Sequence, residues 1–223
     1  MVELIIIMGL AIAPGLALAV YVYYRDKFEK EPLSILILSF ILGMISVVPA
    51  VIAEFALDTL PIIKNYVFVQ AFIGIALPEE LSKLLFILVF AYRKNAFNEP
   101  YDGITYSVMV SMGFATLENV LYVWQGGWTV AIMRMFTAVP AHATFGIIMG
   151  YYLGLSKFSK SNRFAFIGMA FFSSVLFHGA YDFFLMIEDV PFIWLGAIVS
   201  LVVGIYLSLR AIRIHNRNSP FSN

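Results

Sequence analysis

The chain is 223 residues long, 61% hydrophobic and only 13% charged, with a mean hydropathy of +0.90. That is too little polar surface to cover a water-soluble globule, so the chain belongs in lipid. Its 14 basic and 14 acidic residues cancel and argue against a nucleic-acid partner, and the lack of cysteine excludes disulfides and thiolate chemistry.

Hydropathy and chain breakers predict seven spans, near 3–24, 33–57, 67–91, 104–124, 129–155, 164–187 and 192–212, each long enough to cross roughly 30 Å of hydrocarbon. With short loops they use nearly all the sequence, so the expectation is a single all-α domain, residues 1–223, built as a polytopic membrane bundle. In the first span Ala17-Leu18-Ala19 imitates a signal-peptidase site, but Glu3 and the lack of a preceding basic residue favour a retained helix. Leu4 to Tyr24 and Leu33 to Ala53 are apolar on all sides, unlike the one-sided helices of soluble proteins. Glu54, at the outer end of the second span, reads most simply as an interfacial carboxylate.

Loop charge sets the expected orientation. Arg25, Lys27, Lys30, Arg93, Lys94, Lys157, Lys160, Arg163, Arg210, Arg213 and Arg217 fall on one side and Lys64 alone on the other. Basic loops stay cytoplasmic, which predicts the N-terminus outside and the C-terminus inside.

Ionisable groups inside spans are costly unless paired or hydrated, and here they are numerous. The third span holds Pro78-Glu79-Glu80-Leu81-Ser82-Lys83, the fourth Glu118 and Asn119, the fifth Arg134 and His142, and the sixth His178 and Asp182. Counting along the helices puts Glu79 and His142 near mid-membrane, His178 further out, and Glu118, Arg134 and Asp182 closer to the outer surface. A water-filled cavity open to the outside is the cheapest way to hydrate such a set.

Lys83 stands four residues from Glu79 and three from Glu80, so one lysine can neutralise either acid. The pair suits a general base or acid, and Pro78 predicts a kink beside it. His178 and Asp182 share a face at four-residue spacing, as a carboxylate orienting an imidazole requires. Two histidines and several carboxylates on four helices can activate a water, or can hold a divalent metal such as zinc on His142, His178 and Glu118. His-Glu-x-x-His is absent, and a serine triad would have to draw on Ser82, Ser111 or Ser174. Lys83 and Arg134 read as neutralising groups, Asn119 and Asp182 as supporting ones, and His215 as a non-catalytic histidine of the basic tail.

Several blocks carry a family likeness: Ala13-Pro14-Gly15, Asp26-Lys27-Phe28-Glu29-Lys30-Glu31-Pro32, the Pro78 to Lys83 block, Tyr101-Asp102-Gly103-Ile104, Gly113-Phe114-Ala115-Thr116-Leu117-Glu118-Asn119, Pro140-Ala141-His142 and His178-Gly179-Ala180-Tyr181-Asp182. In order and spacing they resemble the PrsW intramembrane proteases, relatives of the prenyl-protein CAAX endopeptidase and bacteriocin-processing group. The resemblance implies a bacterial inner-membrane endopeptidase cutting a membrane-anchored protein, such as an anti-sigma factor on its extracytoplasmic side. It likens Glu79 or Glu80 to the water-activating base and His178 to the group that polarises the carbonyl or holds a metal. Asp182 stands where the wider group often has Asn. Glu118 stands where that group has a second His, whose role His142 would take from the next helix. It leaves open whether the centre uses a divalent metal or none, and the oligomeric state.

Two other readings accompany this one. The wider superfamily resembles the multispanning scaffold subunit of γ-secretase, so a non-catalytic scaffold is one. A proton-coupled transporter is the other, since buried Glu and His also build proton relays, although no internal repeat supports it.

Overall fold

The computed structural model describes residues 2–221, and among these all regular structure is helical. Helices α1 (Val2–Arg25) and α2 (Leu33–Asp58) are followed by two short pieces, α3 (Pro61–Asn65) and α4 (Val67–Val69). A π-helical segment, Gln70–Ala76, leads into α5 (Leu77–Val89) and a 3-10 turn. Then come α6 (Pro100–Phe136), α7 (Ala138–Phe158), α8 (Arg163–Met186) and α9 (Leu195–Arg217). Among the described residues five stretches are long and apolar enough to cross a membrane: α1, α2, the run Pro100–Phe158, α8 and α9.

The stretch read from sequence as the third span is helical but not uniformly α. Pro78 has no N–H to give, and the turn before it widens so that the N–H of Leu77 bonds back to the carbonyl of Phe72. One π turn thus absorbs the proline that sequence reads as a kink, and π turns favour functional sites.

The fourth and fifth spans part near where the sequence puts their boundary. The returning stretch is interrupted once at Thr137, before α7, and the helical run Pro100–Phe136 is itself two helices joined across a kink at Gly127, with φ 65° and ψ −150°. Only glycine adopts that backbone freely. The chain reverses there, and α7 runs back along α6.

Helix α6 is the axis of the bundle. It packs on α1, α2 and α7, and residues 101–116 are buried on all sides. Close approach needs small residues: a Cβ on Gly113 would strike the carbonyl of Phe40 in α2, and one on Gly43 that of Val110. Where water offers no hydrophobic drive, such backbone-to-backbone contact holds helices together. The outward faces keep large apolar side chains such as Ile37, Ile41, Phe172 and Tyr206 exposed, as a lipid-facing surface requires.

Candidate active site

α5, α6, α7 and α8 bring all the predicted polar residues to one place. Lys83 is the centre of the deeper half. Its ammonium lies 2.8 Å from Glu80 Oε1, 3.1 Å from Glu79 Oε2 and 3.3 Å from His142 Nδ1, and 4.0 Å above the Phe114 ring. Since the ammonium only donates, His142 Nδ1 accepts, and its Nε2–H donates to Glu118 Oε2 at 2.9 Å. Lys83 thus sets the tautomer of His142.

His178 is held from three sides. Nδ1 lies 2.9 Å from Glu80 Oε1, Nε2 3.2 Å from Asp182 Oδ2, and Glu79 Oε2 is 4.0 Å from Nε2. Phe145 stacks on the ring at 4.8 Å, and the two imidazoles are 5.1 Å apart, edge to face. Glu80, fully buried between Lys83 and His178, therefore orients the histidine from behind while Asp182 does so from in front.

The shallower half is a second charge group. Arg134 reaches back across the Gly127 break to donate to Glu118 Oε2 at 2.8 Å and to Asn119 Oδ1 at 2.9 Å. Asn119 in turn donates to the carbonyl of Ala11, anchoring α1. In an unbroken helix Glu118 and Arg134 would stand about 24 Å apart at 1.5 Å per residue.

Exposure rises along this path. The side chains of Glu79, Glu80, Lys83 and His178 are 0–6% exposed, whereas those of Glu118, Arg134 and Asp182 are 16–19%. A cavity of about 780 Å³ opens onto Glu79, Glu118, Arg134, His142, His178 and Asp182, with apolar walls that include Val47, Ile75, Leu121, Met133, Leu185 and Trp194. Glu80 and Lys83 lie behind the wall.

Sequence reasoning missed one member and misplaced others. Glu54 lines this cavity instead of marking an interface, a placement that its position near a helix end does not reveal. His215 is buried in α9, stacked on Tyr151 at 4.5 Å and bonded to its carbonyl, rather than lying in a polar tail. The hydroxyls of Ser82, Ser111 and Ser174 donate to the carbonyls of Ser46, His142, and Ala170 and Phe171, so none is aimed at His178.

The family profile described as "PrsW family intramembrane metalloprotease" matches residues 31–209. The chain belongs to the PrsW family. It is 39% identical over 178 residues to Protease PrsW of Geobacillus kaustophilus, covering 80% of this chain and 79% of that protein. It is 40% identical over 181 residues to Protease PrsW of Oceanobacillus iheyensis, covering 80% and 82%, and 37% identical over 180 residues to that of Bacillus subtilis, again covering 80% and 82%. No solved structure matches. As a PrsW-family member the chain is an intramembrane protease, which decides against the scaffold and transporter readings.

The family description makes a metal relevant. Glu79, Glu80, His142 and His178 can each offer one donor atom, all within 4.8 Å of one another, and Glu80 Oε2 is buried with no hydrogen-bond partner. Two imidazoles and two carboxylates are a donor set that zinc accepts, so the residues fit a divalent ion. The group shares His142 and His178 with the candidates named from sequence and adds the two glutamates of α5, while Glu118 is engaged by Arg134 and His142.

Proposed function

We propose that this PrsW-family protease hydrolyses a peptide bond of a membrane-anchored protein at the inner end of the cavity, with Glu79 as base and His178 as oxyanion donor. The observation that carries this reading is the division of labour in the glutamate pair. Glu79 lines the cavity beside His142 and His178, while Glu80 is sealed behind it on Lys83 and His178.

A water in the cavity beside Glu79 Oε2 gives its proton to that carboxylate as its oxygen adds to the scissile carbonyl. The His178 Nε2–H turns from Asp182 to the developing oxyanion, while Glu80 on Nδ1 holds the ring in place. The C–N bond then breaks, and Glu79 passes its proton to the leaving amine nitrogen. Lys83 keeps two adjacent carboxylates compatible in the interior, and His142, oriented by Glu118 and Arg134, is the second imidazole facing the substrate. When bound by Glu79, Glu80, His142 and His178, a divalent ion such as zinc supplies Lewis-acid polarisation of the carbonyl.

The apolar cavity walls suit an apolar or membrane-proximal segment, and the resemblance extends this to an anti-sigma factor cut on its outer side. The reading takes seven crossings, counting 67–89 as one and α6 and α7 as two, with the cavity mouth outside and the C-terminus in the cytoplasm of a bacterial inner membrane. The loop-charge asymmetry supports this placement.

The test is cleavage of a single-span substrate by purified chain in lipid, comparing wild type with Glu79→Gln, Glu80→Gln and His178→Ala, with and without a chelator. Loss in Glu79→Gln with a residual rate in Glu80→Gln is expected. Wild-type rates in Glu79→Gln would sink the assignment of the base, and a rate unaffected by chelator would remove the metal.

A further inference from the structure

Two blocks that carry the family likeness are not used by the active site. Asp26 to Pro32 follows α1, and Tyr101 to Ile104 opens α6, where Asp102 lies about 24 Å along the helix from Glu118 at 1.5 Å per residue. The fold brings these blocks together. Asp26, Glu99 and Asp102 each present a carboxylate oxygen, all within 4.8 Å of one another, and their residues are 2%, 0% and 0% exposed.

The surroundings pair this group only in part. Asp102 Oδ2 accepts from the N–H groups of Asn98 at 2.8 Å and Glu99 at 2.7 Å, Glu99 accepts from the N–H of Asp102 to complete a capping box, and Asp102 also meets the Glu31 carboxyl. Neither oxygen of Asp26 has a hydrogen bond of full geometry, the N–H groups of Lys27 and Phe28 giving only partial compensation. Asn98 Oδ1 is a buried, unbonded acceptor as well. Glu31, buried alongside and bonded by the Tyr106 hydroxyl, adds negative charge, as does Glu29; Glu99 has Ser219 at its side. Lys30 is the cation that bears on Asp26, but its ammonium donates to the main-chain carbonyls of Tyr23 and Asp26.

A buried carboxylate without a partner is resolved by a proton or by a cation. The available atoms are all carboxylate or amide oxygens, with no imidazole among them, which is the donor set of a hard ion and not of zinc.

We infer that Asp26, Glu99 and Asp102 form a second metal site that takes a single hard divalent cation, Mg²⁺ or Ca²⁺. The ion clamps the chain leaving α1 to the first turn of α6, the helix whose far end carries Glu118. This site is separate from the protease centre and does not depend on how that centre works.

The experiment uses the full chain in detergent with Glu79→Gln and His178→Ala, which weakens the active-site donor set. Terbium is titrated and its tyrosine-sensitised emission followed, since Tyr101 and Tyr106 flank the acids. Saturable emission is expected, displaced by Mg²⁺ or Ca²⁺, the ion effective at lower concentration being the resident one. Adding Asp26→Asn and Asp102→Asn is expected to weaken terbium binding at least about tenfold, the scale of losing ligands from a metal site. Emission absent from the background, or unchanged by the two aspartate substitutions, overturns the site. If those substitutions prevent folding, melting of the background protein decides: a Tm raised by about 4 °C or more in millimolar Mg²⁺ or Ca²⁺ over chelator supports the site, and an unchanged Tm with both ions overturns it.

Discussion

The two buried acidic centres of this protein solve the same electrostatic problem in different ways. In the active site the carboxylates of Glu79 and Glu80 meet Lys83, Glu118 meets Arg134 and His142, and Asp182 meets His178, all groups of the protein itself. Near the start of α6, Asp26, Glu99 and Asp102 gather with no lysine or arginine bonded to their carboxylates among the described residues. A centre that must stay open to substrate and water carries its own neutralising charges, whereas a sealed centre can leave that task to an ion from solution.

The comparison breaks first at the base. Glu79→Gln is expected to lower cleavage by about 10²- to 10⁴-fold, the range for loss of a general base, with Tm nearly unchanged because Lys83 keeps Glu80. A fall in Tm matching the fall in activity would mean that Glu79 is structural. The next largest effect is on stability. Lys83→Met leaves two carboxylates buried without their cation, at a cost of about 3–5 kcal/mol. Adding Glu79→Gln and Glu80→Gln to it is expected to recover most of that loss in the same unfolding measurement.

Arg134→Ala is expected to cost about 1–3 kcal/mol, the penalty for leaving buried acceptors unpaired, and to slow cleavage through a freer Glu118 and His142. Titrating cleavage against pH in this variant separates a positioning effect, which shifts the profile, from simple unfolding, which does not. Gly127→Ala meets no neighbour, so its cost is backbone strain alone, about 1–3 kcal/mol. A rate lower than that of wild type, in protein still folded at the assay temperature, would tie the chain reversal to the placement of Arg134.

The smallest effect sharpens the contrast from the other side. Asp26 is raised from its ordinary range to about 6. In chelator the folded chain therefore holds this proton over a window from about pH 4 to 6 in which the unfolded chain has lost it, and stability falls as pH rises through that window. Asp26→Asn is expected to flatten this slope, as read by Tm against pH. A slope that persists in Asp26→Asn assigns it to another group, with Glu31 the next to test.

What sequence makes legible in the site is whatever a single helix can arrange alone. Glu79, Glu80 and Lys83 on α5, and His178 and Asp182 on α8, meet because three- and four-residue spacings share a helix face. The blocks around Glu118 and His142 marked them as members without placing them. What stayed hidden depends on how helices meet: Glu80 against His178 across 98 residues of chain, and Glu54 turned toward the cavity. The π turn ahead of Pro78 was hidden for a related reason, since a proline signals a missing donor without saying which turn will absorb it.

The sequence by itself determined that the chain lives in lipid, that it is helical, that its spans carry paired ionisable groups, and that its motifs are those of PrsW proteases. The first three follow from composition, from the helical repeat and from local spacing, and the last is a resemblance carried by the residue blocks. Only the tertiary structure decided that Glu79 faces the cavity and Glu80 does not, that Gly127 reverses α6 so that Arg134 returns to Glu118, and that the blocks at Asp26 and Tyr101 close on one another. The physical reason is that a left-handed glycine and the close packing of small residues act over distances along the chain that no local pattern spans.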